Sequence, residues 1–309
     1  MIGYILRRLL QAIPVFLGTT FLIYFMVFAM PGDPLLALFG DKTPNPALLE
    51  QLRVQYHLNE PFIVQYWYYI SGIFQGDFGT SFSGQPVSEI LIKTFPVTLR
   101  LALIAIFIEL VFGIIVGLIS GLRKGGIFDG TFLIVSLVLI SLPIFVIAFV
   151  AQYFLGIKLE LFRATVGSGA PIQDLILPGI VLASINFAVI VRLTRSSVLE
   201  TMNLDFVRTA YGKGLSKRRV IPVHILRNSL IPVTTSLGAD FGILIVGATV
   251  TEGIFNVPGV GRTLYKAIQL SQGPTVVSFV TVMVILYLIV NLLVDLLYGV
   301  LDPRIRYVK

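Results

Sequence analysis

Apolar residues run through this chain in long blocks, separated by short clusters of charge, Gly and Pro. A helix of about 20 residues crosses the roughly 30 Å hydrocarbon layer of a bilayer, so a block of 18 or more apolar positions predicts a transmembrane helix. Six spans are predicted: Leu9 to Met30, Val97 to Leu122, Thr131 to Ile157, Leu175 to Val191, Ser229 to Gly253 and Thr275 to Leu301. The interiors of the first, third and fourth carry no charge. The first block opens on Arg7-Arg8, as a signal peptide does, but it is too long for an h-region and no small-residue cleavage site follows. A retained first helix is expected.

The loop 31–96 between the first two spans carries structure of its own. PALLEQLRVQYHL, residues 46–58, places Leu48, Leu49, Leu52 and Tyr56 at helical spacing, and FIVQYWYYISGIF, residues 62–74, clusters Tyr66, Trp67, Tyr68 and Tyr69. Such aromatics favour the headgroup layer, either as an interfacial helix covering the bundle or as a docking surface for an outside partner. The expected architecture is therefore an all-α membrane protein, a single domain over 1–309. It comprises helix 1 (1–30), the outer loop (31–96), a five-helix core (97–301) and a short tail (302–309). No internal repeat is visible.

Composition agrees. With 56% hydrophobic and 13% charged residues and a mean hydropathy of +0.92, the 309-residue chain cannot hide its apolar side chains in one water-soluble core. There is no Cys, and His57 and His224 fall in different segments, which excludes thiolate chemistry and argues against a histidine metal site. The net charge of +7 and pI near 9.6 acquire meaning from their location. With the N-terminus in the cytoplasm, 15 of the 23 Lys/Arg fall inside, among them Arg7, Arg8, Arg123, Lys124, Arg304, Arg306 and Lys309. Asp33, Asp41, Glu50, Glu60, Asp77, Glu89, Glu160 and Asp174 then lie outside. Both termini are expected in the cytoplasm, and the basic balance reads as membrane orientation, not as nucleic-acid binding.

One basic stretch stands out, DFVRTAYGKGLSKRRVIPVHILRNSLIP at 205–232, inside a cytoplasmic segment of about 192–228. Asp205 is expected to N-cap a short helix through Tyr211, and Gly214 to end it as a left-handed C′ residue. Pro222 and Pro232 are each expected to terminate or kink a helix, because proline lacks the amide donor and clashes one turn back. Three roles fit such a segment: ordinary positive-inside bias, attraction to anionic lipid headgroups, or docking of a cytoplasmic protein.

RTAYGKGLSKRRVIPVHILRNSLIP resembles the cytoplasmic-loop signature of ATP-binding cassette (ABC) importer permeases: EAA, three residues, Gly, nine residues, Ile, any, Leu, Pro. Ala210, Gly214 and Leu226 match it, while Arg208, Thr209, His224 and Arg227 depart from it. That divergent form is similar to the dipeptide, oligopeptide and nickel branch of the family. Further segments fit the branch in order: YILRRLLQAIPVFLGTTFLIYFMVFAMPGDP, GDFGTSFSGQPV, FPVTLRLALIA, TEGIFNVPGVGRTLYKAI and LLVDLLYGVLDPRIR. The resemblance spans essentially the whole chain.

It implies a six-helix type I permease bundle that imports dipeptides or short oligopeptides by alternating access and catalyses nothing itself. The implied partners are a second, homologous permease, two ATP-binding subunits and an extracytoplasmic solute-binding protein, with membrane lipid around the bundle. ATP and Mg would be bound by the partners, and no cofactor by this chain. The coupling helix that docks on an ATPase would be carried by Asp205, Arg208, Thr209, Ala210, Tyr211, Gly212, Lys213, Gly214 and Leu215. Consistently, the chain has no GxxxxGK[ST] phosphate loop, and GVGRTLYK at 259–266 lacks the spacing.

Polar residues within the apolar blocks are candidates for the substrate path, because a charge at bilayer depth must face protein, water or a partner. Glu109, Asn186, Asp240, Glu252 and Asn256 are taken as such, each with a buried helix-to-helix hydrogen bond or turn as its structural alternative; Asp295 is expected to anchor structure, and Asn291 fits either use. The stretch 251–268 reads as a loop or as an external lid. Gly113, Gly117 and Gly121 form a small-residue ridge for close helix packing. Other cargoes, namely nickel or its chelates, haem or cell-wall peptides, fit the same machinery. A secondary transporter with Glu109 or Asp240 as a proton relay is the rival from another class, although the inverted repeats it would favour are not found.

Overall fold

The computed structural model of the chain describes residues 2–29, 35–36, 45–81 and 84–301. Asp33, Asp41, Asp302, Arg304, Arg306, Lys309 and the Asp295 side chain, all used in the sequence reading, lie outside the described residues. The described chain is helical. Among the described residues no β-strand occurs, only an isolated antiparallel bridge between Thr80 and Pro86.

In chain order the helices are α1 (Ile2–Phe28), α2 (Pro46–Gln55), α3 (Phe62–Phe74) and α4 (Val87–Ile108), the last passing through a π-helical turn Glu109–Gly113 into α5 (Ile114–Leu122). Next come α6 (Ile127–Ser141), α7 (Ile144–Ala151) with a π-helical end Gln152–Lys158, α8 (Ile172–Met202), α9 (Asp205–Gly212) and α10 (Lys217–Val220). A π turn Ile221–Leu226 leads into α11 (Arg227–Phe255), followed by α12 (Val260–Gln269) and α13 (Gly273–Leu301). Four described helices are long and apolar enough to cross a membrane: Ile5–Phe28, Val87–Leu122, Ile172–Met202 and Gly273–Val294. The α6–α7 pair makes up to five when counted as one bent span.

Several boundaries differ from those predicted. The third block is not one helix: α6 and α7 meet at an angle of 111°. Pro143 is the cause, since proline removes an amide donor and holds the preceding Leu142 extended, at φ −95° and ψ 134°. The fourth helix runs on to Met202, well past its apolar stretch, because intrahelical hydrogen bonding does not end where lipid contact does. Pro14, Pro96, Pro178 and Pro232 all sit inside helices, so of the two outcomes expected at Pro232, an end or a kink, the helix does not end there. Prolines are tolerated in long apolar helices, where neighbours and local adjustment satisfy the freed carbonyl.

The chain forms two compact units, Met1–Thr98 with Pro258–Lys309, and Leu99–Val257. In the first, α3 lies on α1 and α13. The Tyr66 hydroxyl donates to the Leu17 carbonyl at 3.0 Å, Tyr69 bonds the Thr281 hydroxyl, and Phe21 and Tyr24 pack their rings against Tyr66. The helix predicted over 62–74 forms and packs one side on α1 and α13, with Ile63, Trp67 and Phe74 exposed. Beside it, Phe279 and Met283 of α13 pack with Val260 and Leu264 of α12 and with Val87, and the buried Thr98 hydroxyl accepts the Val260 amide at 2.9 Å.

In the second unit α8 is central and largely buried. Its residues Ile190, Thr194 and Val198, one turn apart, fit against Gly113, Gly117 and Gly121. A Cβ on Gly117 would lie 2.6 Å from the Thr194 Cβ and 2.7 Å from the Val191 carbonyl oxygen. Only hydrogen at these positions lets the two helix backbones come together, so the glycine ridge packs within this chain.

Candidate functional site

The basic segment folds onto the end of α8. Leu204 is extended, at φ −75° and ψ 148°, and α9 starts at Asp205. Asp205 is thus the first helical residue and not the predicted N-cap. Leu204 takes the cap position without a side-chain acceptor, and the Asp205 carboxylate instead complements the positive helix end and sits 3.7 Å from Arg208. The C-terminal expectation is met. Gly214 has φ +78°, its amide bonds the Tyr211 carbonyl at 2.9 Å, and the Leu215 amide bonds the Ala210 carbonyl at 3.2 Å. These are the paired bonds of a Schellman motif, and Leu215 adds the apolar contact that usually accompanies it.

Pro222 occupies the second position of the π turn that carries α10 into α11, so it marks a widened turn and does not stop the chain. Val207 and Ala210, one turn apart on α9, are buried with Val198, Val220 and Ile225 and flanked by Leu118, Leu122 and Met202. One side of α9 is thereby fastened to α8, to the end of α5 and to the entry of α11. At that junction the Ser229 hydroxyl donates to the Ile225 carbonyl at 2.9 Å and lies in hydrogen-bond contact with the Thr201 hydroxyl at 3.1 Å.

The other side of α9 is open. Phe206 and Tyr211 are 41% and 42% exposed, and Arg208, Thr209, Gly212 and Lys213 are exposed beside them. A Cβ added to Gly212 or Gly214 would meet nothing within 4 Å. Two aromatic rings, two cations and two side-chain-free positions make a small knob able to enter a groove of another protein. In the same unit, Asp129 at the start of α6, 2% exposed, accepts both Nε and Nη2 of Arg195 and the amide of Gly125. Nothing in the spacing of Asp129 and Arg195 signalled this pair, since only the turn between α5 and α6 brings them together.

The polar residues of the apolar blocks fall into two places. Glu109 opens the π turn and is fully buried, and neither of its oxygens is within direct hydrogen-bond geometry of a partner among the described residues. It lies within electrostatic reach of Asp240 and alongside Asn186, and Asp240 is itself held by Ser236, its Oδ2 buried without a partner among the described residues. All five predicted pathway residues lie in the second unit, and three of them, Glu109, Asn186 and Asp240, gather at one place in it. Glu252 is also fully buried, about 18 Å along α11 from Asp240 at 1.5 Å per residue. Asn256 is exposed and left-handed at φ 58°, forming the C-cap of α11.

A family model described as the binding-protein-dependent transport system inner membrane component matches residues 113–307, and its N-terminal membrane component matches residues 1–102. The chain belongs to this family. The permease is similar along its whole length to curated relatives. The dipeptide transport system permease protein DppB of Escherichia coli (strain K12) is 38% identical over 339 aligned residues, covering 100% of both chains. The protein of the same name from Alkalihalophilus pseudofirmus is 35% identical over 99% of this chain and 100% of its own. The di/tripeptide transport system permease protein DppB of Pseudomonas aeruginosa is 36% identical over 99% of each. The permease is therefore a multi-pass cell-membrane subunit of an ABC importer, a transport protein and not a catalytic one.

Proposed function

We propose that the permease is the translocation subunit for dipeptides or short oligopeptides, working by alternating access that separate ATPase subunits drive. The observation that carries this reading is its end-to-end likeness to permeases named for dipeptide transport. In the proposed arrangement the chain crosses the membrane six times with both termini in the cytoplasm, α6 and α7 forming one bent span and α11 another. Its partners are a DppC/OppC-like second permease, two DppD/DppF-like ATP-binding subunits that hold ATP and Mg, and an extracytoplasmic solute-binding protein. The chain itself holds no cofactor.

α9 is the coupling helix, with the knob of Phe206, Tyr211 and Gly212 seated in a cleft of an ATPase. A push on α9 passes through Val207 and Ala210 to the end of α8 and the start of α11, which the shared core joins. The glycine ridge and the Arg195–Asp129 pair make α5, α6 and α8 move as a block. Glu109, Asn186, Asp240, Glu252 and Asn256 serve the substrate path. Glu109 and Glu252 are closed off in this conformation, so the opposite state must expose them.

Reconstitution in proteoliposomes with the two ATPases, the second permease and the binding protein tests the reading. Labelled dialanine is expected to accumulate only with ATP, and a bulky Gly212→Leu is expected to abolish uptake and ATPase co-purification while leaving the permease folded. Solute movement by the permease alone without nucleotide would overturn the mechanism, and uptake of nickel or haem in place of dialanine would reassign the cargo.

A further inference from the structure

We infer that the first unit contains a binding site for an ammonium group, in the cavity enclosed by α1, α3, the turn at 77–80 and the start of α13. The cavity has a volume of about 220 Å³, room for a small amine or the amino end of a larger molecule. Four tyrosines, Tyr24, Tyr56, Tyr68 and Tyr69, are among its walls. Aromatic faces carry negative potential and attract cations, most strongly where water is excluded. Tyr24 is 3% exposed, with its ring 5.1 Å from that of Tyr69 and 4.5 Å from that of Phe28, so this wall is rigid.

The polar lining has the matching sign. Asp77 lines the cavity, and its Oδ1 accepts the Gly79 amide at 2.8 Å, which fixes the carboxylate on the turn. Gln65 also lines it. Its amide nitrogen donates to the carbonyls of Glu60 at 2.7 Å and Leu58 at 3.4 Å, while its buried Oε1 has no partner among the described residues. An ammonium is the complement to a carboxylate, an unpaired amide oxygen and ring faces, whereas a carboxylate or phosphate would meet Asp77. No Lys or Arg is among the residues described as lining the cavity.

At the rim His57 is left-handed at φ 55° as the residue that closes α2, its amide bonding the Val54 carbonyl at 3.1 Å and the Leu58 amide bonding the Arg53 carbonyl at 2.9 Å. This helix end sets the His57 ring on Tyr68, with ring centroids 4.5 Å apart. Two sources can supply the group: the ethanolamine headgroup of a lipid, or the amino terminus of a free peptide. The inference stands on the first unit alone and is read by binding, so its failure is separable from that of the transport reading.

The test is titration of the purified full-length permease in phosphatidylglycerol nanodiscs, which contain no amine, with methylammonium by calorimetry. Saturable binding is expected. Asp77→Asn, whose side chain can still accept the Gly79 amide, and Tyr68→Leu are each expected to weaken it roughly ten-fold. Competition by dialanine but not N-acetyl-dialanine identifies the peptide amine. Weaker methylammonium binding in phosphatidylethanolamine nanodiscs identifies the lipid. Absence of saturable binding, or binding that both variants leave unchanged, overturns the proposal, as does equal competition by the acetylated peptide.

Discussion

Arg195 of α8 grips Asp129 of α6 through two parallel hydrogen bonds, Nε to Oδ1 at 2.5 Å and Nη2 to Oδ2 at 2.8 Å. Planar guanidinium and carboxylate are matched for this geometry, and removing one member leaves the other charge buried. Arg195→Ala, which strands the buried Asp129 carboxylate, is expected to destabilise the permease by about 3 kcal/mol. Arg195→Lys is expected to cost less, because it keeps the charge but loses the fork. Thermal unfolding of the purified variants checks the order.

The glycine ridge makes a graded prediction. Gly117→Ala drives a Cβ to 2.7 Å from the backbone oxygen of Val191, which cannot swing aside, and is expected to cost about 1–3 kcal/mol. Gly18→Ala, where a Cβ meets nothing within 4 Å on α1, is expected to be neutral or stabilising by up to about 1 kcal/mol. Equal stabilities of the two variants would show that α5 and α8 are not in close contact.

At the end of α9 two neighbouring glycines are expected to respond in opposite ways. Gly214→Val places a β-branched residue at φ +78° and is expected to lose about 1–2 kcal/mol. Gly212→Ala adds a methyl in open space within a helix and is expected to gain about 0.5–1 kcal/mol. A Gly212→Ala permease that is more stable yet transports less would locate its defect in docking and not in folding.

In the first unit, Thr98→Val removes the acceptor of the Val260 amide in a site where Thr98 is 1% exposed. A loss of about 1–3 kcal/mol is expected from the orphaned donor. Faster hydrogen exchange at the start of α12 is the accompanying sign.

Burial pushes the phenols of Tyr56 and Tyr69 up from the ordinary tyrosine range. A proton-bound form favoured by the fold contributes stability that is fully present below the unfolded value near pH ~10 and is lost as pH rises through the folded value. Stability is therefore expected to be flat across neutral pH and to fall in the alkaline range. Phenolate absorbance during an alkaline titration checks whether these two groups ionise after the exposed tyrosines.

Much of this permease was legible in residue order. Hydropathy alone predicted a helical membrane protein, because in a bilayer every backbone group must be satisfied within its own segment and long apolar runs have few other options. The helix Phe62–Phe74 and the left-handed stop at Gly214 were readable because aromatic clustering and glycine chemistry act over a few residues. The motif resemblance reached the family for the same reason: its signatures are short and ordered.

Other features were decided only by the tertiary structure. The 111° break at Pro143 was hidden inside an apolar run that looked continuous, and the N-terminus of α9 moved by one residue. The pairing of Arg195 with Asp129, the gathering of Glu109, Asn186 and Asp240, and the cavity walled by tyrosines join residues far apart in the chain. Hydropathy and local propensity are sums over neighbours along the chain, whereas these contacts depend on which helix faces meet, and that is settled by packing in three dimensions.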